Sequence, residues 1–244
     1  MIVVATFNIQ NDRIYSKEKI NSILNFIKKY NIDILNLQEL SKYIDKSLIN
    51  QLNNINYNNY GKYRFHIPLI FKKINERCPI ITKYQVIKKK TYNLPFLPSL
   101  LRRVLTKEIV IIEEKEVSIY NTHIDYLSEI AKRRQLKKIL KIISKDKNPS
   151  ILTGDFNLKN IHPSFKDFKR KLKEKGIIHY DIKEKTWKNS KYHRAIDHIF
   201  ISSEFKLIEK KLITEIPISD HYPVLTKIKW KEEKWQIKKK SRNI

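Results

Sequence analysis

The chain has 244 residues, enough for one large domain or two small ones, and its 51 Lys+Arg against 25 Asp+Glu give a formal net charge of +26. One cysteine, Cys78, excludes an intrachain disulfide, and three glycines exclude a glycine-rich phosphate loop. No apolar run approaches the roughly 18 residues of a membrane span, and the N-terminus lacks the charged stretch of a signal peptide, so a reducing cytoplasm is the expected location.

Met1–Asn8 opens the chain with a buried-type strand over Ile2–Phe7. Ser16 is suited to cap a helix with Ile20, Ile23, Leu24 and Ile27 on its apolar face. Ile32–Leu37 reads as a second strand and Tyr43–Leu52 as a looser helix. Further strands are predicted at Phe65–Phe71, Pro79–Lys83, Leu101–Ile112 and Val117–Tyr120, with the acidic run from Glu113 to Glu116 as a hairpin connection. A long amphipathic helix covers Ser128–Ser144, its inner face formed by Leu136, Ile139, Leu140 and Ile143. Ile151–Thr153 is a strand, and His162-Pro163 opens a helix to about Lys175, with proline where its missing N–H costs little. Asp181–Arg194 reads as an irregular loop before final strands at Ile196–Ile201, Phe205–Ile213 and Val224–Trp230. With no linker and no fixed repeat, this is one α/β domain over residues 1–230, followed by a basic tail at 231–244. Its expected form is a four-layer α/β/β/α sandwich of two packed mixed sheets with outer helices.

Polar clusters recur at strand ends. Asn8 closes the first strand and Glu39 the second. His123 stands in Asn121-Thr122-His123-Ile124-Asp125, and Asp155 and Asn157 in Gly154-Asp155-Phe156-Asn157. Asp197 and His198 follow Ile196, and Asp220 and His221 precede the last strand in Ser219-Asp220-His221-Tyr222-Pro223-Val224. Each is weak alone: a lone glutamate after a strand is usually solvated, and a lone histidine is usually structural. Together, several carboxylates with amide oxygens suit a hard divalent cation, and histidine adds proton transfer. There is no cysteine ligand set and no His-Glu-x-x-His helix, which argues against a zinc protease. His198 reads mainly as a strand residue, and His66, His162, His179 and His193 as surface or structural.

These segments, in this order over about Ile2 to Trp230, resemble the endonuclease/exonuclease/phosphatase superfamily with its DNase I-like fold, and within it the DNase and sphingomyelinase branch. The resemblance implies that Glu39, helped by Asn8, binds Mg2+, with Mn2+ as an alternative, and that Asp220 completes the metal region or a second metal position. It implies that Asp155 orients and deprotonates the attacking water and that Asn157 holds a non-bridging phosphate oxygen. His221 would contact the scissile phosphate with Asp197 paired to its ring. His123 matches a histidine of that branch, oriented by Glu76. Arg103, or equally Arg102, falls near a family arginine that would meet substrate. Arg133-Arg134-Gln135 matches a helix motif of the sphingomyelinase-like branch and reads as structural. Trp187 would stack a base or lipid headgroup, or anchor its loop.

The implied activity is magnesium-dependent hydrolysis of a phosphodiester by a monomer. A Lys-, Asn- and Ile-rich composition accounts for lysine over arginine but not for a two-fold excess of basic over acidic residues, so a polyanionic partner is expected. Nucleic acid is the first choice. A phospholipid or phosphoinositide substrate is the alternative, with Phe96, Leu97 and Leu100 facing an anionic membrane. A non-catalytic binding module is the third reading, against which the complete site argues. Leu37-Gln38-Glu39-Leu40 and His123 both depart from the abasic-site repair branch.

Overall fold

Serine side chains start three of the helices, at Ser16, Ser41 and Ser128, and apolar runs that end in polar residues form the central strands. The structure, a computed structural model, describes residues 1–12, 14–62, 64–65, 75–189 and 195–232, with backbone alone at 64–65 and 75–76. In chain order the first elements are β1 (Ile2–Asn8), α1 (Lys17–Tyr30), β2 (Ile34–Gln38), β3 (Leu40–Ser41), α2 (Lys42–Asn53), β4 (Asn58–Tyr60), β5 (Arg64–Phe65), β6 (Asn75–Arg77) and β7 (Ile80–Thr82). They are followed by β8 (Val86–Asn93), β9 (Val104–Ile112), β10 (Lys115–His123), α3 (Glu129–Ile143), β11 (Ser150–Asp155) and α4 (Pro163–Lys173). The last are β12 (Ile177–Tyr180), β13 (Asp197–Ser202), β14 (Phe205–Leu212) and β15 (Val224–Trp230). Ser16 caps α1 by accepting from Lys19 N, and Ser128 caps α3 by accepting from Ala131 N.

Two six-stranded mixed sheets form the middle of the molecule. Their orders are β14-β15-β1-β2-β7-β4 and β12-β13-β11-β10-β9-β8, and β3, β6 and β5 make a small third sheet. Ile20, Ile23 and Phe26 of α1 and Leu48 of α2 pack on the outer face of the first sheet. Leu136 and Ile139 of α3 and Phe165 and Phe168 of α4 cover the second. Val4, Ile34, Val110, Ile119, Ile151 and Ile199 fill the space between the sheets. This is the expected four-layer α/β/β/α sandwich.

The apolar inter-sheet core becomes polar toward one edge. Asn36 Nδ2 donates to Thr153 Oγ1 at 2.8 Å, Gln38 Nε2 to Asn121 Oδ1 at 2.7 Å, and Asn121 Nδ2 to the Leu37 carbonyl at 2.7 Å. These bonds tie the two sheets in register where β1, β2, β10 and β11 end. Elsewhere between the sheets stands one carboxylate without such support. Glu108 on β9 is fully buried, and neither of its oxygens has a partner among the described residues. Burial, opposed by Lys89, pushes its carboxyl up to about 8.

Some elements differ from expectation. Val86–Asn93 is a strand although Lys88-Lys89-Lys90 hides its alternation; it is the edge of its sheet, where lysines block further pairing. β12, also at an edge, was not expected. β10 starts at Lys115 because Glu113 and Glu114, with φ 50° and 65°, make the tight turn that pairs Lys115 with Ile112. Of the strand expected over Phe65–Phe71, residues 66–71 lie outside the described residues, as do His66, His193, Arg194 and the tail from residue 233. Among the described residues no helix is long and apolar enough to cross a membrane.

Candidate active site

The site lies where the polar ends of both sheets meet. In the second sheet, register sets His123 beside Asp155 and Asp155 beside Asp197, so three polar side chains stand abreast on β10, β11 and β13. Gly154 makes this possible. A Cβ there would lie 2.0 Å from the Thr122 carbonyl oxygen, and its φ of 153° is one that side chains rarely adopt. Only glycine lets β11 approach β10 closely enough to hold Asp155 in that row.

Asp155 is held from both sides. Asn8 Nδ2, from the first sheet, donates to its Oδ2 at 3.0 Å, and the Asn157 backbone N–H donates to its Oδ1 at 2.9 Å. Burial and the neighbouring Asp197 raise its carboxyl above the usual range, against the opposing pull of His221. His221 Nδ1 is 2.8 Å from Asp197 Oδ2, and its Nε2 points toward Asp155 Oδ2 at 3.8 Å. Burial opposes charge on this ring, yet Asp197, Asp155 and Asp220 outweigh it and push the imidazole up to about 10. His221 is therefore a cation at neutral pH, with Nε2–H directed into the cleft.

His123 is arranged differently. Arg103 Nη1 lies 2.9 Å from its Nδ1, and a guanidinium can only donate, so Nδ1 accepts and the ring proton sits on Nε2. Nε2 is 3.5 Å from Asp155 Oδ2 and 3.9 Å from Glu39 Oε1. Arg103, the arginine expected to meet substrate, is buried behind this ring and bonded to it. Glu76 pairs with Ser41 across β3 and β6, and its side chain lies outside the described residues. Arg102 is exposed on the rim and stacks over Phe96.

Glu39 reaches the cleft on a left-handed residue, φ 59°, as do Gln10 at 52° and Asn157 at 47°. Non-glycine residues avoid this region, and three of them within one site mark local strain. Glu39 accepts from Asn8 Nδ2 at 3.1 Å and from Asn11 N at 3.1 Å, and its side chain stays 26% exposed. Asn8 Oδ1 is taken by Gln10 N, so Asn8 clamps Glu39 against Asp155 with one end of its amide and holds its own loop with the other. Asn157 Nδ2 donates to the Ile124 carbonyl. Asp220 Oδ2 accepts from Trp187 Nε1 at 3.0 Å, and Trp187 also bridges to His221 through its backbone. Trp187 is half-buried and tied to the segment before β15 by these two contacts.

Sequence reasoning missed Thr186 and Ser219. Thr186 Oγ1 accepts from the N–H groups of Ile196 and Asp197, fixing the start of β13. Ser219 Oγ donates to the Asn8 carbonyl at 2.6 Å and accepts from His221 N at 3.0 Å, linking the two ends of the chain under the site. The only hint was the hydroxyl two residues before His221, a common local turn pattern. His198, as expected, is structural: it is buried on β13 and bonded to the Leu158 carbonyl and to His179.

Within a chain of charge +26 the cleft itself is acidic. The carboxylates of Glu39, Asp155, Asp197 and Asp220 surround one protonated histidine, and Asp197 Oδ1 is buried without a partner among the described residues. Ligand atoms of Asp155, Asp197 and His221 lie within 4.8 Å of one another. His221 Nδ1 is already engaged by Asp197, whereas the Glu39 side chain keeps 26% exposure. This excess of hard oxygen donors fits a divalent cation.

A model of the endonuclease/exonuclease/phosphatase family matches residues 5–221. The chain belongs to this family of phosphoesterases. No curated protein sequence matches it significantly. Among solved structures it is similar to the mannosyl-6-phosphatase of Bacteroides thetaiotaomicron, at 21% identity and TM-score 0.70 over 94% of this chain and 100% of that one. It is similar to the human Nocturnin catalytic domain with bound sulfate, at 19% identity and TM-score 0.75 over 94% of each chain. D. rerio TDP2 with a single-strand DNA product matches at 14% identity and TM-score 0.72, over 93% of this chain and 98% of that one. These identities speak for the fold.

Proposed function

We propose that this phosphoesterase is a magnesium-dependent hydrolase that acts as a monomer and cleaves phosphate esters by in-line attack of water. The observation that carries the reading is the row His123, Asp155, Asp197 with His221 bonded to its outer member and aimed at its centre. Glu39, clamped by Asn8, would hold the ion, with Asp220 at the margin, and Mn2+ would suit the same oxygens. Bound there, the ion would neutralise phosphate charge and stabilise the leaving oxygen.

Asp155 takes the proton of the attacking water. Its raised affinity for protons makes it a better base than an ordinary surface carboxylate. The two donors that grip it leave little freedom to turn away from the line of attack. His221 offers a charged N–H, and His123 a neutral one, to the phosphoryl oxygens as negative charge builds there. Asp197 and Arg103 set the orientation of these rings. Asn157 supports the site through its backbone bond to Asp155.

The net charge supports a phosphate ester on a polyanionic carrier, nucleic acid or anionic lipid, and the single buried Cys78 is compatible with the cytoplasm. Asp155→Asn, Glu39→Gln and His221→Ala should each lower turnover of an aryl phosphodiester with magnesium by about 10²-fold or more, with an unchanged circular dichroism spectrum. Near wild-type turnover by any of the three, in folded protein, would sink the assignment.

A further inference from the structure

Asp125, two residues after His123, and Gln135, in Arg133-Arg134-Gln135, have no part in the chemistry above, yet both are fully buried. Asp125 Oδ1 accepts from Leu127 N at 2.7 Å and from Ser128 N at 2.8 Å, and Ser99 Oγ donates to its other oxygen. Gln135 accepts from Asp125 N at 2.8 Å and donates to the Pro95 carbonyl at 2.8 Å. Together they bind the β8–β9 connection to the start of α3. What they hold in place is an exposed apolar rim: Leu97 is 53% exposed, Tyr126 49%, Leu127 51% and Ile130 54%. Arg134 joins the two segments through the Leu97 carbonyl, and Tyr126 lies over the guanidinium of Arg103 that orients His123. The rim therefore borders the site directly.

The rim belongs to a wider bias. Among the described residues, every exposed large apolar side chain except Met1, Ile87 and Ile208 lies on the edge of the sandwich that carries the site. Ile14 and Tyr15 follow β1, Tyr43 opens α2, and Ile161 follows β11. Scattered exposed apolar groups need no explanation, but their concentration around one cleft does.

We infer that this edge is a docking surface for an anionic lipid membrane, which would present a phosphate ester to the cleft. The inference rests on the catalytic reading above and names its substrate class. Five of the eight exposed side chains on this edge are aliphatic and three are tyrosines, which favours lipid over nucleic acid: leucine and isoleucine gain by entering the acyl boundary, whereas single strands are held by aromatic platforms that stack bases. Arg102 and Arg134 beside the rim, and the +26 charge behind it, complement anionic headgroups.

The test is co-sedimentation of the full chain with phosphatidylcholine vesicles, with and without phosphatidylserine. The protein should bind the anionic vesicles, and Leu127→Ser/Ile130→Ser should weaken that binding about ten-fold or more, while turnover of a soluble aryl phosphodiester stays at the wild-type level. Leu97→Ser, from the other segment, should weaken it in the same direction. Absence of binding, or equal binding by the double variant, overturns the inference. So does a double variant that loses single-stranded DNA affinity and keeps its affinity for vesicles. Vesicle binding by a protein with no phosphodiester turnover supports the docking surface and sinks the catalytic reading alone.

Discussion

Asp197 need not touch a substrate to matter, because its carboxylate decides whether His221 carries a proton. The bonded pair holds that proton up to about 10, so turnover should fall as pH rises through that value, where the charged donor is lost. In Asp197→Asn the attraction is gone while burial remains, and the alkaline limb of the rate profile should move down. A limb that stays in place would separate the pair from the activity. Glu108 gives a second prediction, of stability. Its folded-state affinity for protons exceeds that of the unfolded chain, so between the ordinary carboxylate range and about pH 8 the native protein holds a proton that the unfolded chain has released. Stability contributed at low pH is therefore lost as pH rises through that window. Glu108→Gln, whose amide does not titrate, should remove this slope and stabilise the protein at neutral pH by about 1–3 kcal/mol, at roughly 1.4 kcal/mol per pH unit over which the native state alone holds the proton. Urea unfolding at several pH values measures both.

At the scale of elements, the approach of β11 to β10 is the tightest requirement in the site. Gly154→Ala places a methyl group against backbone, which cannot swing aside, and should cost on the order of 3 kcal/mol in thermal or urea unfolding. Native stability in that variant would show that the strands can part without penalty. Asp155 and Asn157 were legible beside this glycine because the chemistry and the strand end share one short motif. β8 was not, since three lysines in succession erase the alternation that marks a strand, and only its edge position explains them. Thr186 and Ser219 were not legible either. Their hydroxyls acquire roles through partners as distant as Asn8, and nothing near them in the chain marks that pairing. Arg103 was found by its place in the chain, but its role depended on which neighbour the fold set in front of it.

The whole molecule joins a strongly basic body to an acidic cleft. A body of that charge would attract polyanions over distances that salt screens, while short contacts inside a buried cleft are screened far less. Raising ionic strength should therefore weaken capture of an anionic vesicle or polymer steeply and leave the turnover number of a small soluble ester nearly unchanged. Equal loss of both would place the salt effect in the cleft. The pairing of β1 with both β2 and β15 at the middle of the first sheet bears on how the protein is made. β15 is made after every other described strand, so one side of β1 stays without its neighbour until then. The Ser219–Asn8 bond closes only then, and with it the cleft. Until β15 and the Ser219 segment before it are in place the cleft stays open on one side, because strands from distant parts of the sequence must meet to close it.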